Sequence, residues 1–132
     1  ERDRNVAWGV GSIAPQDGNL LEKIGAHILN VMASVLNVIG LAYVNADNLV
    51  CRADAYKKCG EFNPQLMTSE DTDLGMRLMK TGRFYYMPRA KVLISMRRIR
   101  KWGYLNFVVF HTRNFLNTHL FARPAEIYAP VR

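Results

Sequence analysis

Leu20 to Leu41 is the most apolar stretch of the chain, long enough to pose a choice between a membrane span and a helix of a folded domain. Its polar residues decide. His27, Asn30, Ser34 and Asn37 fall at i, i+3, i+7 and i+10, one stripe of a helix, with Ile24, Ile28, Val31, Met32, Val35, Leu36 and Ile39 opposite or flanking it. Two asparagines in lipid would be costly without partners. A helix lying on a membrane would carry a Lys/Arg face, which this stretch lacks. The pattern predicts an amphipathic or mostly buried helix, capped at its start by Gly18 or Asn19.

The chain around this helix has 132 residues, one domain's worth, and 49% of them are hydrophobic, enough for a core and too many for a disordered chain. No repeat or low-complexity segment divides it, so residues 1–132 read as a single unit. Cys51 and Cys59 have seven residues between them, which fits neither a zinc pattern nor a Cys-x-x-Cys motif, so two free thiols are expected. His27, His111 and His119 are too scattered for a dedicated metal site. Glu1-Arg2-Asp3-Arg4 has neither an initiator Met nor an apolar core, so no signal peptide is read there and a longer parent polypeptide is expected. Charge is uneven. Residues 1–82 hold eight Lys/Arg and ten Asp/Glu, whereas residues 83–132 hold ten Lys/Arg and one acid, Glu126. Such a field attracts anions: nucleotide phosphates, anionic lipid or nucleic acid.

The other elements follow from local pattern. Val6 to Ile13 reads as a strand, and residues 16–19 as a turn. Residues 43–48 form a polar loop, Leu49 to Arg52 a short strand, and Ala53 to Cys59 a short helix stopped by Gly60. Phe84 to Met87 and Val92 to Ser95 read as two strands parted by Pro88-Arg89. From Arg97 the pattern is helical and basic to residue 132, bent or broken at Gly103, with an extended tail from Arg123-Pro124. Phe107, Val108, Val109 and Phe110 read as core or interface.

Between these lies Thr68-Ser69-Glu70-Asp71-Thr72-Asp73-Leu74-Gly75-Met76-Arg77-Leu78. Three carboxylates within four residues precede an apolar pattern of helical spacing that runs to about Lys80. Thr68 or Ser69 can cap this helix, and Thr68 with Asp71 resembles a capping box with Asp in place of Glu or Gln. The dipole at a helix start favours an ionised carboxylate, and a general base must be ionised when its substrate arrives. The same acids would also serve simply to stabilise the helix. Asp73 and Arg77, four apart, are placed to pair.

Taken in order, Ala46-Asp47-Asn48, Leu49-Val50-Cys51-Arg52, Cys59-Gly60-Glu61-Phe62-Asn63, Glu70-Asp71-Thr72-Asp73-Leu74-Gly75-Met76-Arg77-Leu78 and Lys80-Thr81-Gly82 resemble the second half of the family 2 glycosyltransferases, which have the GT-A fold. The family pattern runs roughly Gly-x-Asn, a short strand ending in Arg, Gly-Gly-Phe-Asp, then Glu-Asp-x-Asp-Leu-x-x-Arg-Leu. Ser95-Met96-Arg97-Arg98 with Lys101-Trp102-Gly103 is similar to the segment after the last core strand. The likeness covers about Val6 to Trp102.

The resemblance implies an α/β fold, or α+β for a part standing alone: the C-terminal, acceptor-side half of a nucleotide-diphospho-sugar transferase domain, a mixed sheet flanked by helices. It implies an inverting glycosyltransferase in which Asp71 takes the proton of an acceptor hydroxyl. Glu70 would position the acceptor and is the second choice as base. Asn48, Asp47, Arg97, Arg98, Lys101 and Trp102 are the implied substrate-binding residues, with Arg97, Arg98 and Lys101 set against the departing diphosphate. The implied partners are a nucleotide-diphospho-sugar donor, a saccharide or lipid-linked acceptor, an anionic membrane surface and a second copy of the chain. The implied location is cytoplasmic, at the inner membrane face. A divalent Mg or Mn ion is implied for the full enzyme, held mostly by an Asp-x-Asp motif of the family's first half; no metal ligand is assigned here. The isolated chain is expected to be inactive.

Departures from the pattern narrow these expectations. Ala46 replaces the Gly of Gly-x-Asn, and Glu61 and Asn63 alter Gly-Gly-Phe-Asp. Arg98-Ile99-Arg100-Lys101-Trp102 stands where processive members carry Gln-x-x-Arg-Trp, which favours transfer of a single sugar. The alternative is a basic binding module. Arg97, Arg98, Arg100, Lys101 and Arg113 interleave with Trp102, Tyr104 and Phe107, which suits an anionic membrane surface or a nucleic acid. No recognised nucleic-acid motif is present, and that reading leaves Glu70, Asp71 and Asp73 unexplained.

Overall fold

The computed structural model describes residues 5–121. In chain order they form β1 (Val6–Pro15), α1 (Leu20–Val38), a 3-10 turn (Ala46–Asn48), β2 (Leu49–Cys51), α2 (Ala53–Lys58), α3 (Glu70–Leu78), β3 (Arg83–Ile94), α4 (Arg97–Trp102) and α5 (Tyr104–Phe121). The result is a small mixed α/β domain. Its sheet has the order β2-β1-β3, with β1 antiparallel to β2 and parallel to β3. As the central strand, β1 is buried along most of its length, and Trp8 and Val10 pack with Ala33 of α1 and with Leu74 and Leu78 of α3. Cys51 and Cys59 are free thiols.

Asn19 caps α1, as expected. Its side chain accepts from the Glu22 N–H at 2.9 Å while Glu22 accepts from the Asn19 N–H at 2.8 Å, a reciprocal box. The orientation of α1 is the reverse of what an amphipathic helix suggests. Asn30 turns inward and brackets Ile13, donating to its carbonyl and accepting from its N–H, both at 2.9 Å. Asn37 is buried, donating to the Ala33 and Tyr43 carbonyls and accepting from the Tyr43 N–H. Ile24, Ile28, Val31 and Val35, which sequence pattern sets against the polar stripe, stand about half exposed on the outer side. Two members of the polar stripe, Asn30 and Asn37, turn inward because β1 and the loop after α1 present backbone groups that need partners, while His27 stays exposed and Ser34 donates within its own helix to the Val31 carbonyl. No helix among the described residues is long and apolar enough to cross a membrane.

Pro88-Arg89 does not divide two strands. β3 is continuous, and its register against β1 jumps between the pairs Gly11–Met87 and Ser12–Lys91, leaving residues 88–90 as a bulge. The bulge is tied down by Ser12, whose hydroxyl donates to the Pro88 carbonyl at 2.9 Å, and by Asn48.

The expected capping box at Thr68 and Asp71 does not form. Ser69 precedes α3 with φ +58° and makes no side-chain cap, Thr68 is fully buried, and Asp71 turns toward the Ala46 turn. The Asp73–Arg77 pair does form, at 2.7 Å. Arg77 also donates to the carbonyls of Cys59 and Glu61 at 2.7 and 2.6 Å, which fastens the left-handed turn at Gly60-Glu61 to α3. Gly103 breaks the last helical stretch into α4 and α5, at φ +84°. In α5, Val108 and Val109 are exposed rather than core, while Phe107 and Phe110 pack against Trp102. The tail from Arg123-Pro124 lies outside the described residues.

Candidate functional site

Two parallel strands end on the same side of the sheet, and the chain segments that follow or approach those ends gather there. Carboxyl ends of parallel strands are where α/β folds usually bind ligands. Asn48 sets the position of the 3-10 turn. Its amide donates to the Ser12 carbonyl at 2.9 Å and to the Ala90 carbonyl at 2.7 Å, bridging β1 to the bulge of β3. This approach requires glycine at position 11, since a Cβ there would overlap the Asn48 side chain and the Ala90 carbonyl. Asn48 thus holds backbone in place.

The start of α3 is brought under the same turn by Gly75. A Cβ on Gly75 would strike the Val44 side chain, so its absence lets residues 42–46 lie close over α3. Asp71 then meets the turn directly: one carboxylate oxygen accepts from the Ala46 N–H at 3.2 Å, the other from the Thr72 N–H at 2.7 Å. Burial pushes the Asp71 carboxyl above its ordinary value, and the adjacent Glu70 charge adds to this, against the N–H groups of Thr72 and Ala46. The helix start was expected to favour the ionised form; burial outweighs it. Tyr43 lies close enough to feel the Asp71 charge, which together with the larger effect of burial raises its hydroxyl to about 12. Its ring packs 5.8 Å from Phe115 of α5. Glu70 is half-buried beside Asp71 on the first turn of α3.

Asp47, one residue beyond the Asp71 contact, lines a cavity of about 610 Å³ with Ser95, Arg97, Arg98, Lys101 and Phe107. Four of the residues singled out from sequence, Asp47, Arg97, Arg98 and Lys101, therefore share one cavity. Asp71 and Glu70 do not line it; Asp71 is joined to its rim through the Ala46 N–H, next to Asp47. Buried Met96 anchors the start of α4. Trp102 packs instead against Phe110, with ring centroids 5.5 Å apart. A second cavity, of about 520 Å³, opens at the other end of the parallel strands beside Arg52 and Arg83 and contains none of the residues above. Among the described residues no three His, Cys, Asp or Glu side chains converge as metal ligands.

Sequence reading overlooked the lock that holds α4 in place. The Glu22 side chain is 1% exposed, and Arg100 donates to its two oxygens at 2.7 and 2.8 Å. Tyr104 adds a third donor at 3.1 Å. Arg100 and Tyr104, read from sequence as part of a binding stripe, fix α4 and α5 to the start of α1. Asn19-x-x-Glu22 was a legible signal for the cap, but nothing local announced Arg100. Tyr43 and Gly75 were overlooked for the same reason, since each acts on a residue remote in sequence; Asn37 was read only as part of the helix stripe, although it grips Tyr43 six residues on.

No protein-family model matches the sequence, and no curated protein or solved structure matches it significantly.

Proposed function

We propose that this chain is the acceptor-side part of an inverting glycosyltransferase of the GT-A kind, acting on a nucleotide-diphospho-sugar with Asp71 as general base. The observation that carries the reading is a half-buried carboxyl, raised above its ordinary value, that holds the Ala46 N–H of the turn whose next residue, Asp47, lines a cavity rimmed by Arg97, Arg98 and Lys101. A base of raised pKa accepts a proton more readily once formed. The acceptor O–H gives its proton to an Asp71 oxygen as that hydroxyl oxygen bonds to the anomeric carbon. The bond from that carbon to the diphosphate oxygen breaks, and the diphosphate leaves with the electron pair. Guanidinium and ammonium groups facing the cavity stabilise the charge that develops on it. Attack from the side opposite the leaving group inverts the configuration. Asp47 and Glu70 orient the acceptor, and Asn48 keeps the turn in place. The setting that goes with this reading is the cytoplasm at the inner membrane face, with a saccharide or lipid-linked acceptor.

One observation favours the alternative of a basic binding module for an anionic membrane or nucleic acid: residues 83–121 hold eight Lys/Arg and no acid. Turnover separates the two. The full-length protein, given a panel of nucleotide-diphospho-sugars, should release nucleoside diphosphate in step with a glycoside of inverted configuration. Retention of configuration would refute the mechanism. Absence of turnover together with steeply salt-dependent binding to nucleic acid or anionic vesicles would favour the module.

A further inference from the structure

Leu21, Ile24, Ile28, Val31, Val35 and Val38 follow one another in α1 at steps of three, four, three, four and three. This is the a/d spacing of a coiled-coil seam, whose side chains fit the holes of a facing helix. All six are exposed, from 48% at Ile24 and Val31 to 76% at Val38. The opposite side of α1 already serves its own domain through buried Glu22, Ala26, Ala33 and Asn37. The seam thus faces away from the sheet that α1 packs on, except at Val31, which also edges an open groove with Ile13 and Pro15 of β1.

The spacing is self-complementary. In an antiparallel pair centred between Leu29 and Asn30, Leu21 meets Val38 of the second copy, Ile24 meets Val35, and Ile28 meets Val31. Each layer sets a larger side chain against a smaller one, which keeps the layers even. Gly25, His27, Met32 and Ser34 flank the seam, with no Lys, Arg, Asp or Glu among them, so two copies meet without like charges. Opposed helix dipoles also favour the antiparallel arrangement. The same neutral rim speaks against a membrane surface, which would call for Lys or Arg beside the apolar stripe. We propose that the protein forms a two-fold symmetric dimer in which α1 pairs with α1 of a second copy, antiparallel, through this seam.

Sedimentation equilibrium on the full-length protein tests this. The wild type should be dimeric in the micromolar range. Ile28→Glu, which places like charges in the middle of the seam, should weaken association about a hundredfold without changing the circular dichroism spectrum. Leu105→Glu, on the exposed side of α5, should leave the dimer intact. For orientation, an Ile28→Cys chain is mixed with a Val31→Cys chain, both with Cys51 and Cys59 replaced by serine. Oxidation should then link one variant to the other. Linkage of each variant only to itself would overturn the antiparallel pairing. A monomer throughout the micromolar range, whose α1 is covered by another part of its own chain, would overturn the dimer. So would a dimer that withstands Ile28→Glu.

Discussion

Glu22 and Asp71 are carboxylates whose surroundings act in opposite directions. Glu22 is held at about 2, against an ordinary 4.5, chiefly by the Arg100 hydrogen bonds, and burial only partly offsets them. Its folded value lies below its unfolded one, so its contribution to stability is fully present above pH 4.5 and fades as the pH falls toward about 2. The melting temperature should drop across that window. Glu22→Gln should melt lower at neutral pH and flatten the drop, as thermal melts in a pH series would record. Asp71 has the reverse sign. Its value is raised in the fold, so its ionisation disfavours the folded state as pH rises through the carboxylate range. Asp71→Asn should therefore melt at the same temperature as wild type or higher at neutral pH. A carboxylate serving only to stabilise a helix start would give a lower melting temperature. The ordered motifs, rather than the acidic stretch by itself, singled out Asp71 in the sequence. Its raised value was not legible there, because burial comes from the 43–46 segment, about 25 residues away in the chain.

Among the elements, β1, α2 and the break at Gly103 were legible, since each depends on local pattern and stop residues. β3 and α1 show where local pattern fails. A proline between two apolar runs reads as a boundary, yet continuous pairing with β1 carries the strand through a bulge. Helical periodicity separates two faces of α1 but does not say which is inward. That is decided by Asn30 and Asn37, whose partners Ile13 and Tyr43 lie outside the helix. The loop after α1 therefore depends on Asn37 and on the close approach at Gly75. Asn37→Ala strands the Tyr43 backbone groups and should cost on the order of 2–4 kcal/mol in urea unfolding. Gly75→Ala forces its methyl against Val44 and should cost about 1–3 kcal/mol. Both should also reduce turnover, since they loosen the turn that meets Asp71.

At the scale of the molecule, a sheet of three strands brings the start of α3, the Ala46–Asn48 turn and the start of α4 to one end. The ordered motifs in the sequence named most of these pieces, and the cavity collects four of the residues they named. The Glu22–Arg100 lock, joining residues 78 apart, was not legible, yet it sets where α4 lies. The central claim is that Asp71 acts as a base toward an acceptor hydroxyl. The most direct measurement is turnover by full-length Asp71→Asn beside wild type, with melting followed on the same samples. The account predicts a fall in kcat of about 10²–10⁴ with the melting temperature held or raised. Full activity in the variant, or a loss of activity that only tracks a loss of fold, would contradict it.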